Sequence, residues 1–102
     1  MKHPLVDINE IPKQGSKIID FFGRSAHVYY NKGVPRAVMN TCMHFGGPLD
    51  FAAGEGKFVC QWHQAEFDCD GSRIKGPAPS QSHLLFLSTR VEDNTLYYVW
   101  GE

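Results

Sequence analysis

Apolar residues occur along the chain in short runs rich in Val, Ile, Tyr and Phe, and clusters of Gly, Pro, Asn and Asp separate these runs at roughly ten-residue spacing. This pattern is typical of an antiparallel β-sandwich or barrel, so an all-β fold is predicted. A helical period is expected only as one turn at residues 7–12, where Pro12 stops it. The predicted strands cover residues 4–7, 17–22, 26–31, 35–40, 57–60, 66–69, 84–92 and 95–100.

Two segments contain few strand-forming residues. Residues 41–56 follow the predicted strand 35–40 and are long for an irregular loop in a small domain, so something must hold them in place. Residues 76–80 contain Pro77 and Pro79, which stiffen the backbone. Tight turns are predicted where Gly, Asn or Asp permits a positive φ, at residues 22–24, 31–33, 70–72 and 93–94.

Length, charge and cysteine number narrow the class of protein. The chain has 102 residues and a formal net charge of -1, which suits one domain spanning residues 1–102 and argues against nucleic-acid binding. No apolar run is long enough for a membrane span, and residues 1–7 lack the apolar core of a secretory signal. Because the three cysteines also form an odd set, we expect a cytoplasmic protein without a disulfide framework.

Two Cys–His pairs form a pattern of candidate metal ligands. One residue separates Cys42 from His44, and two residues separate Cys60 from His63. Two thiolates and two imidazoles suit either a tetrahedral Zn²⁺ site or a [2Fe–2S] cluster with sulfur ligands on one iron and nitrogen ligands on the other. Zinc fingers with this ligand set have the order Cys, Cys, His, His. The order here is Cys, His, Cys, His, which lets each loop supply one ligand to each iron.

The amino-acid sequence around these two Cys–His pairs resembles that of the Rieske iron–sulfur family, and in particular that of its ferredoxin-type members. Residues 42–49 read Cys-Met-His-Phe-Gly-Gly-Pro-Leu, like the first cluster loop, and residues 60–68 resemble the second. Residues 76–78 resemble the proline loop of the family. The resemblance implies a Rieske-type antiparallel sandwich or barrel, with a small cluster-binding subdomain at about residues 41–80. It also implies one [2Fe–2S] cluster per chain, with thiolate ligands Cys42 and Cys60 and imidazole ligands His44 and His63.

The chain departs from the family pattern at five positions. Met43 stands where Pro is usual, and Gln64 where Gly is usual. Gly47 and Trp62 occupy the positions of two cysteines that form a disulfide in members from cytochrome bc-type complexes. Ala65 replaces a hydroxyl residue of the high-potential members. Fewer hydrogen bonds to the cluster lower its reduction potential. We therefore expect a reduction potential near the lower end of the Rieske range, about -150 mV.

The resemblance implies electron transfer rather than substrate chemistry. Family members that oxidise substrates add a large domain with a mononuclear iron, whereas the histidines left over here, His3, His27 and His83, are scattered. We therefore expect a monomeric electron carrier, with no substrate site of its own, between a flavin-dependent ferredoxin reductase and a terminal oxygenase. The alternatives are a small subunit of a nitrite reductase-like complex and a zinc-stabilised interaction module.

Charge and the remaining side chains give further expectations. Residues 41–72 hold one lysine and five acidic residues, a net charge of -4, which predicts an acidic rim that steers a basic partner. Cys69 is expected to pack as a small hydrophobic residue, and His83 to lie at the surface. Trp62 either shields the cluster or fills the core.

Overall fold

The structure, a computed structural model, describes residues 1–41, 47–52, 55–62, 64–75 and 83–101. Over these ranges no helix is long or apolar enough to cross a lipid bilayer. Asp7 begins a single 3₁₀ turn, Ile8–Glu10, because its carboxylate accepts a hydrogen bond from the Asn9 backbone N–H. The strands are β1 (Lys2–Asp7), β2 (Ser16–Phe21), β3 (Arg24–Asn31), β4 (Val34–Met39), β5 (Leu49–Ala52), β6 (Lys57–Cys60), β7 (Glu66–Asp68), β8 (Arg73–Lys75), β9 (Thr89–Glu92) and β10 (Thr95–Val99).

The strands form three antiparallel sheets, which confirms the predicted all-β fold. The first sheet has the order β1-β10-β9 and joins the two ends of the described chain. The second has the order β2-β3-β4, and the third β5-β6-β7-β8. The third sheet lies within the predicted cluster-binding part of the chain, and its β5-β6 pair adjoins both candidate ligand loops.

Strands β3 and β4 of the second sheet have buried residues on both faces, so they form the wall between two cores. Successive side chains on a strand point to opposite faces. Accordingly Val28 and Ala37 pack in one core with Leu96, while Tyr29 and Val38 pack in the other. The latter core also contains side chains from the third sheet and from the segment before β9: Leu49, Phe58, Cys60, Ala65, Phe67 and Leu84. Each large apolar side chain buried in this way stabilises the fold by roughly 1.5–3 kcal/mol.

Three hairpin turns have the backbone geometry that their residues predicted. Two consecutive residues with positive φ occur at Phe22-Gly23, Lys32-Gly33 and Asp93-Asn94. Two such residues define the turn that matches the twist of antiparallel strands. The predicted turns between β2 and β3, β3 and β4, and β9 and β10 are confirmed.

The predicted strand at residues 84–92 is too long, because only Thr89–Glu92 is a strand. Residues 84–88 instead connect the sheets. Leu84 N–H donates to the Gly71 carbonyl at 2.8 Å, and Leu87 N–H donates to the Ala37 carbonyl at 3.0 Å. Within this segment Leu84 is buried, Phe86 and Leu87 are partly buried, and Leu85 is exposed.

The sequence analysis also missed two strands. β5 lies inside the segment predicted to be an irregular loop, although its sequence Leu-Asp-Phe-Ala alternates apolar and polar residues as an amphipathic strand does. β8 has three residues, Arg-Ile-Lys, and is too short and polar to give a pattern. Both strands owe their place to pairing with β6 and β7 rather than to their own propensity.

Replacing Gly71 with Ala is expected to destabilise the fold. Gly71 has φ +86°, and a Cβ there would approach the Phe86 ring to 2.5 Å. Gly23 is a matched control, because it has the same φ while nothing lies within 4 Å of its Cβ position. Denaturant unfolding should give Gly71→Ala a loss in the free energy of unfolding about 2 kcal/mol larger than that of Gly23→Ala. Equal losses would show that Phe86 does not occupy this space.

Candidate metal centre

The β5-β6 hairpin brings the end of the first candidate loop beside the start of the second. Leu49 pairs with Cys60, and the Gln61 backbone N–H donates to the Pro48 carbonyl at 2.9 Å. Cys60 is fully buried, with 0% of its surface exposed. Its thiol is therefore held in the core at the edge where residues 47–49 leave the loop that contains Cys42 and His44.

The second candidate loop reverses direction within a few residues. The Cys60 N–H donates to the Ala65 carbonyl at 2.8 Å, and the Gln64 N–H donates to the Cys60 carbonyl at 2.8 Å. Gln64 has φ +59°, which explains why glycine suits this position in the family. A side chain in this left-handed conformation costs about 1–2 kcal/mol. Gln64 in place of glycine therefore introduces backbone strain at the residue that follows His63 in the sequence.

Of the four predicted ligands, the structure describes Cys60. Cys42, His44 and His63 lie outside the described residues, as do Met43 and the proline loop at 76–78. Their assignment as ligands remains a prediction, supported by the position of Cys60 between two loops that the β5-β6 pair holds together.

Trp62 covers the backbone of Gly47. Trp62 is 62% exposed, so of the two roles that the sequence left open for it, filling the core is wrong. A Cβ at Gly47 would lie 2.8 Å from two carbon atoms of the Trp62 indole ring. The two positions that carry a disulfide in other family members are thus in contact here as well, through an aromatic ring packed on a glycine. Shielding of the cluster by this ring remains a prediction.

A buried polar network joins the two sides of the first loop. His27 on β3 is 3% exposed, and its Nε2 lies 3.0 Å from the Asn40 Oδ1 and 3.0 Å from the Leu49 carbonyl oxygen. Asn40 Oδ1 also accepts a hydrogen bond from the Leu49 N–H at 2.8 Å. On the other side of the ring, His27 Nδ1 lies 2.7 Å from the Ser16 hydroxyl. This network was not predicted from the sequence, although a histidine among the apolar residues of β3 indicates a buried polar contact.

Burial lowers the pKa of His27 below its ordinary value, although its hydrogen bonds to Leu49 and Asn40 oppose the shift. The ring is therefore neutral in the folded protein at physiological pH. Asn40 Oδ1 and the Leu49 carbonyl only accept hydrogen bonds, so Nε2 carries the proton. Nδ1 then accepts from Ser16.

The acidic residues of the third sheet do not all contribute free negative charge. Lys57 Nζ lies 3.6 Å from Glu55 Oε1 and forms a shorter ion pair with Glu66 Oε1. The hydrogen bond that Lys57 Nζ donates to the Glu66 carboxylate is the main reason that the pKa of Lys57 is raised. Asp50, by contrast, is exposed and accepts a hydrogen bond from Gln61 Nε2 at 2.7 Å. Asp50 therefore places a carboxylate directly beside the second candidate loop.

Two other residues lie as the sequence predicted. Cys69 packs against the core of the third sheet, and its Sγ donates to the Gly56 carbonyl at 3.1 Å. Burial is the main cause that raises the pKa of this thiol, which keeps it protonated. His83 is exposed, and its Nδ1 lies 3.0 Å from the Leu84 carbonyl oxygen.

Comparison with known proteins identifies the family. The Rieske [2Fe-2S] domain matches residues 1–92. The chain belongs to the Rieske family. Its cofactor is a [2Fe–2S] cluster, which decides between the two metals that the ligand pattern left open. Cys60 suits this cofactor, because its thiol is buried at the edge of the sheet beside the first loop.

The relatives of this Rieske domain include iron-sulfur subunits of cytochrome b6-f complexes. It is 33% identical over 67 residues to the chloroplastic cytochrome b6-f complex iron-sulfur subunit of Pisum sativum, a match that covers 65% of this chain and 29% of that protein. The corresponding subunit of Synechococcus elongatus is 30% identical over 61 residues, covering 60% of this chain and 34% of the relative. The chain thus spans about a third of the length of these curated relatives.

Solved structures with the same fold match the chain more completely. The cyanobacterial plasma membrane Rieske protein PetC3 from Synechocystis PCC 6803 superposes with a TM-score of 0.71 at 29% identity, covering 94% of this chain and 95% of that one. The ferredoxin of carbazole 1,9a-dioxygenase from Nocardioides aromaticivorans IC177 has a TM-score of 0.69 at 16% identity, with 95% of both chains covered. The second likeness concerns the fold alone.

Lowering the pH should destabilise the protein through His27. In the unfolded chain this residue takes up a proton near its ordinary pKa of 6.5, whereas in the folded protein it does so only at lower pH. The unfolded state then binds more protons, so the free energy of unfolding falls as pH drops below about 6.5. Denaturant unfolding of the wild type and His27→Phe between pH 7.5 and pH 5 measures this contribution.

The His27→Phe variant is expected to lose part of the pH dependence of the free energy of unfolding. His83→Gln serves as the control, because it removes an exposed imidazole outside the network, and it should keep the slope of the wild type. Identical pH slopes for the wild type and His27→Phe would show that His27 takes up its proton equally well in the folded state.

Proposed function

We propose that this Rieske domain is a one-electron carrier between a flavin-dependent ferredoxin reductase and a terminal oxygenase. In this proposal Cys42 and Cys60 bind one iron of the cluster, and His44 and His63 bind the other. The observation that supports it most is the Leu49–Cys60 pairing, which sets the end of the first ligand loop beside the start of the second. When bound, the cluster accepts and releases one electron at a time, and the protein needs no substrate site of its own.

The residues around the cluster have distinct tasks in this mechanism. The buried position of Cys60 excludes water from the sulfur side of the site. Within the turn from Cys60 to Ala65, the described residues Gln61, Trp62 and Gln64 are exposed. An exposed loop tip gives a partner close access to the imidazole side, because electron transfer requires a short contact.

The oxygenase partner is supported by the likeness of the fold to a dioxygenase ferredoxin and by the departures at Gly47 and Trp62 from the family pattern. The ferredoxin of carbazole 1,9a-dioxygenase has the same fold over nearly its whole length. Gly47 and Trp62 replace the disulfide of cytochrome-complex members. We propose that the carrier acts as a cytoplasmic monomer. Its separate purification and rapid exchange with a reductase would favour this proposal over a permanent subunit of a nitrite reductase-like enzyme.

A cytochrome-complex partner is the second candidate function, because the cytochrome b6-f iron-sulfur subunits are relatives at 30% identity or more. Reduction by quinol-linked donors rather than by a flavin-dependent reductase would favour it. The absence of the disulfide-forming cysteines at positions 47 and 62 counts against it.

Replacing His44 with Cys tests the ligand assignment. A third thiolate should keep the iron while lowering the reduction potential toward that of all-thiolate clusters, about -400 mV for plant-type ferredoxins. Protein-film voltammetry measures the change. His83→Cys is the matched control, since it makes the same replacement at an exposed histidine that is not a proposed ligand. A His44→Cys variant with the potential of the wild type would refute the assignment.

Neutralising Asp50 should slow electron uptake from a reductase with a basic docking surface. Asp50→Asn is expected to lower the second-order rate constant about two- to fivefold at low ionic strength and to weaken its dependence on salt. Stopped-flow reduction across a salt series gives both quantities. Asp93→Asn removes an equal charge at the turn between β9 and β10 and should react like the wild type. Equal slowing of both variants would mean that net charge, not the position of Asp50, governs the rate.

A further inference from the structure

Among the described residues, His27 is the one polar or charged residue that is buried, with 3% of its surface exposed. Its ring lies edge-on against Phe58, with 5.4 Å between the ring centroids. A phenylalanine would fill this space without burying two polar nitrogens, which is unfavourable unless they are hydrogen-bonded. The distinctive contribution of the imidazole is therefore its Nε2–H, which points to two acceptors outside β3.

These acceptors lie on the two sides of the first cluster loop. Asn40 directly follows β4, and Leu49 is the first residue of β5. Residues 41–48 connect them and include Cys42 and His44. Because β4 and β5 belong to different sheets, strand pairing does not set the distance between Asn40 and Leu49.

The hydrogen bonds among His27, Asn40 and Leu49 connect the end of β4 to the start of β5. Asn40 Oδ1 accepts from the Leu49 N–H at 2.8 Å, and His27 Nε2 reaches both residues at 3.0 Å. The Asn40 backbone N–H donates to the Ser25 carbonyl, so this end of the link is also attached to β3. Leu49 is paired with Cys60, so the same link continues to the second cluster loop.

We propose that His27 is a positioning residue for the cluster, which fastens the two ends of the segment carrying Cys42 and His44 to each other and to the central sheet. The inference rests on the proposed ligands of the first loop and not on the identity of the redox partners. Ser16 sets the tautomer that this role needs, since its hydroxyl donates to Nδ1 and leaves the proton on Nε2.

His27→Phe tests the proposal, because it keeps an aromatic ring against Phe58 and removes both nitrogens. The purified protein with its cluster is assayed for iron release to a chelator in native buffer, and its reduced form for the EPR signal. We expect iron release about tenfold faster than in the wild type, which corresponds to about 1.4 kcal/mol. We also expect broadened and shifted EPR lines, because the first loop is no longer held in one arrangement.

Val28→Ala is the matched control for a loss of stability alone. Val28 is the next residue on β3, is fully buried, and packs in the other core. It should lower the thermal midpoint of unfolding while leaving the EPR lines unchanged and iron release within about twofold of the wild type. The proposal is overturned if His27→Phe keeps the wild-type EPR signal and releases iron no faster than Val28→Ala.

Asn40→Ala covers the case in which His27→Phe does not fold. It removes the shared acceptor from the half-buried end of the network, and it should broaden the EPR lines in the same way. Unchanged lines in this variant would also overturn the proposal. Failure of the proposed function has a different signature, which is a wild-type EPR signal without electron exchange with a reductase, or a His44→Cys variant with an unchanged potential.

Discussion

The antiparallel pairing of β5 with β6 is the contact on which the metal centre depends. It sets Leu49 opposite Cys60, so the loop that precedes β5 and the loop that follows β6 emerge at the same edge of one sheet. Side chains alternate along a strand, and Cys60 therefore shares the buried face of Phe58. A slip of one residue would turn the thiol away from the core. Register and ligand position are thus the same constraint.

The β5-β6 hairpin is held in place by its packing against the second sheet. Strands β3 and β4 of that sheet are packed on both faces, and the core that contains Tyr29 and Val38 also contains Phe58 and Cys60. The Tyr29 hydroxyl donates to the Cys69 carbonyl, which links β3 to the end of β7. Burial of this hydroxyl raises the pKa of Tyr29, so it remains a donor throughout the physiological range. His27 forms the corresponding link on the side of β5.

Sequence patterns predicted the parts of the molecule that local chemistry determines. Alternation and turn residues located the strands of the first two sheets, apart from the start of β9, because each hairpin there is closed by a turn that contains Gly or Asn. Metal-ligand spacing and the loop text identified the family and its cofactor. The role of Gln64 as a strained residue was hidden, since its φ depends on the tight turn between Cys60 and Ala65.

Features that depend on distant contacts could not be predicted in this way. β8 exists through pairing with β7, and residues 84–88 are drawn between two sheets by Gly71 and Ala37. His27 looked like a scattered histidine, because its partners Asn40 and Leu49 follow it by 13 and 22 residues. The contact of Trp62 with Gly47 was implied only by the resemblance to family members with a disulfide at these positions, and the β5-β6 pair brings the two residues together.

In the proposed site, two adjacent loops hold a [2Fe–2S] cluster through two thiolates and two imidazoles. Pulsed electron–nuclear double resonance on the reduced protein, prepared with ¹⁵N-labelled histidine, detects the imidazole ligands. We expect two distinct and strongly coupled histidine nitrogens on a cluster with equal amounts of iron and inorganic sulfide. A cluster without strong histidine coupling, or a protein with one zinc ion and no sulfide, would refute this ligand set.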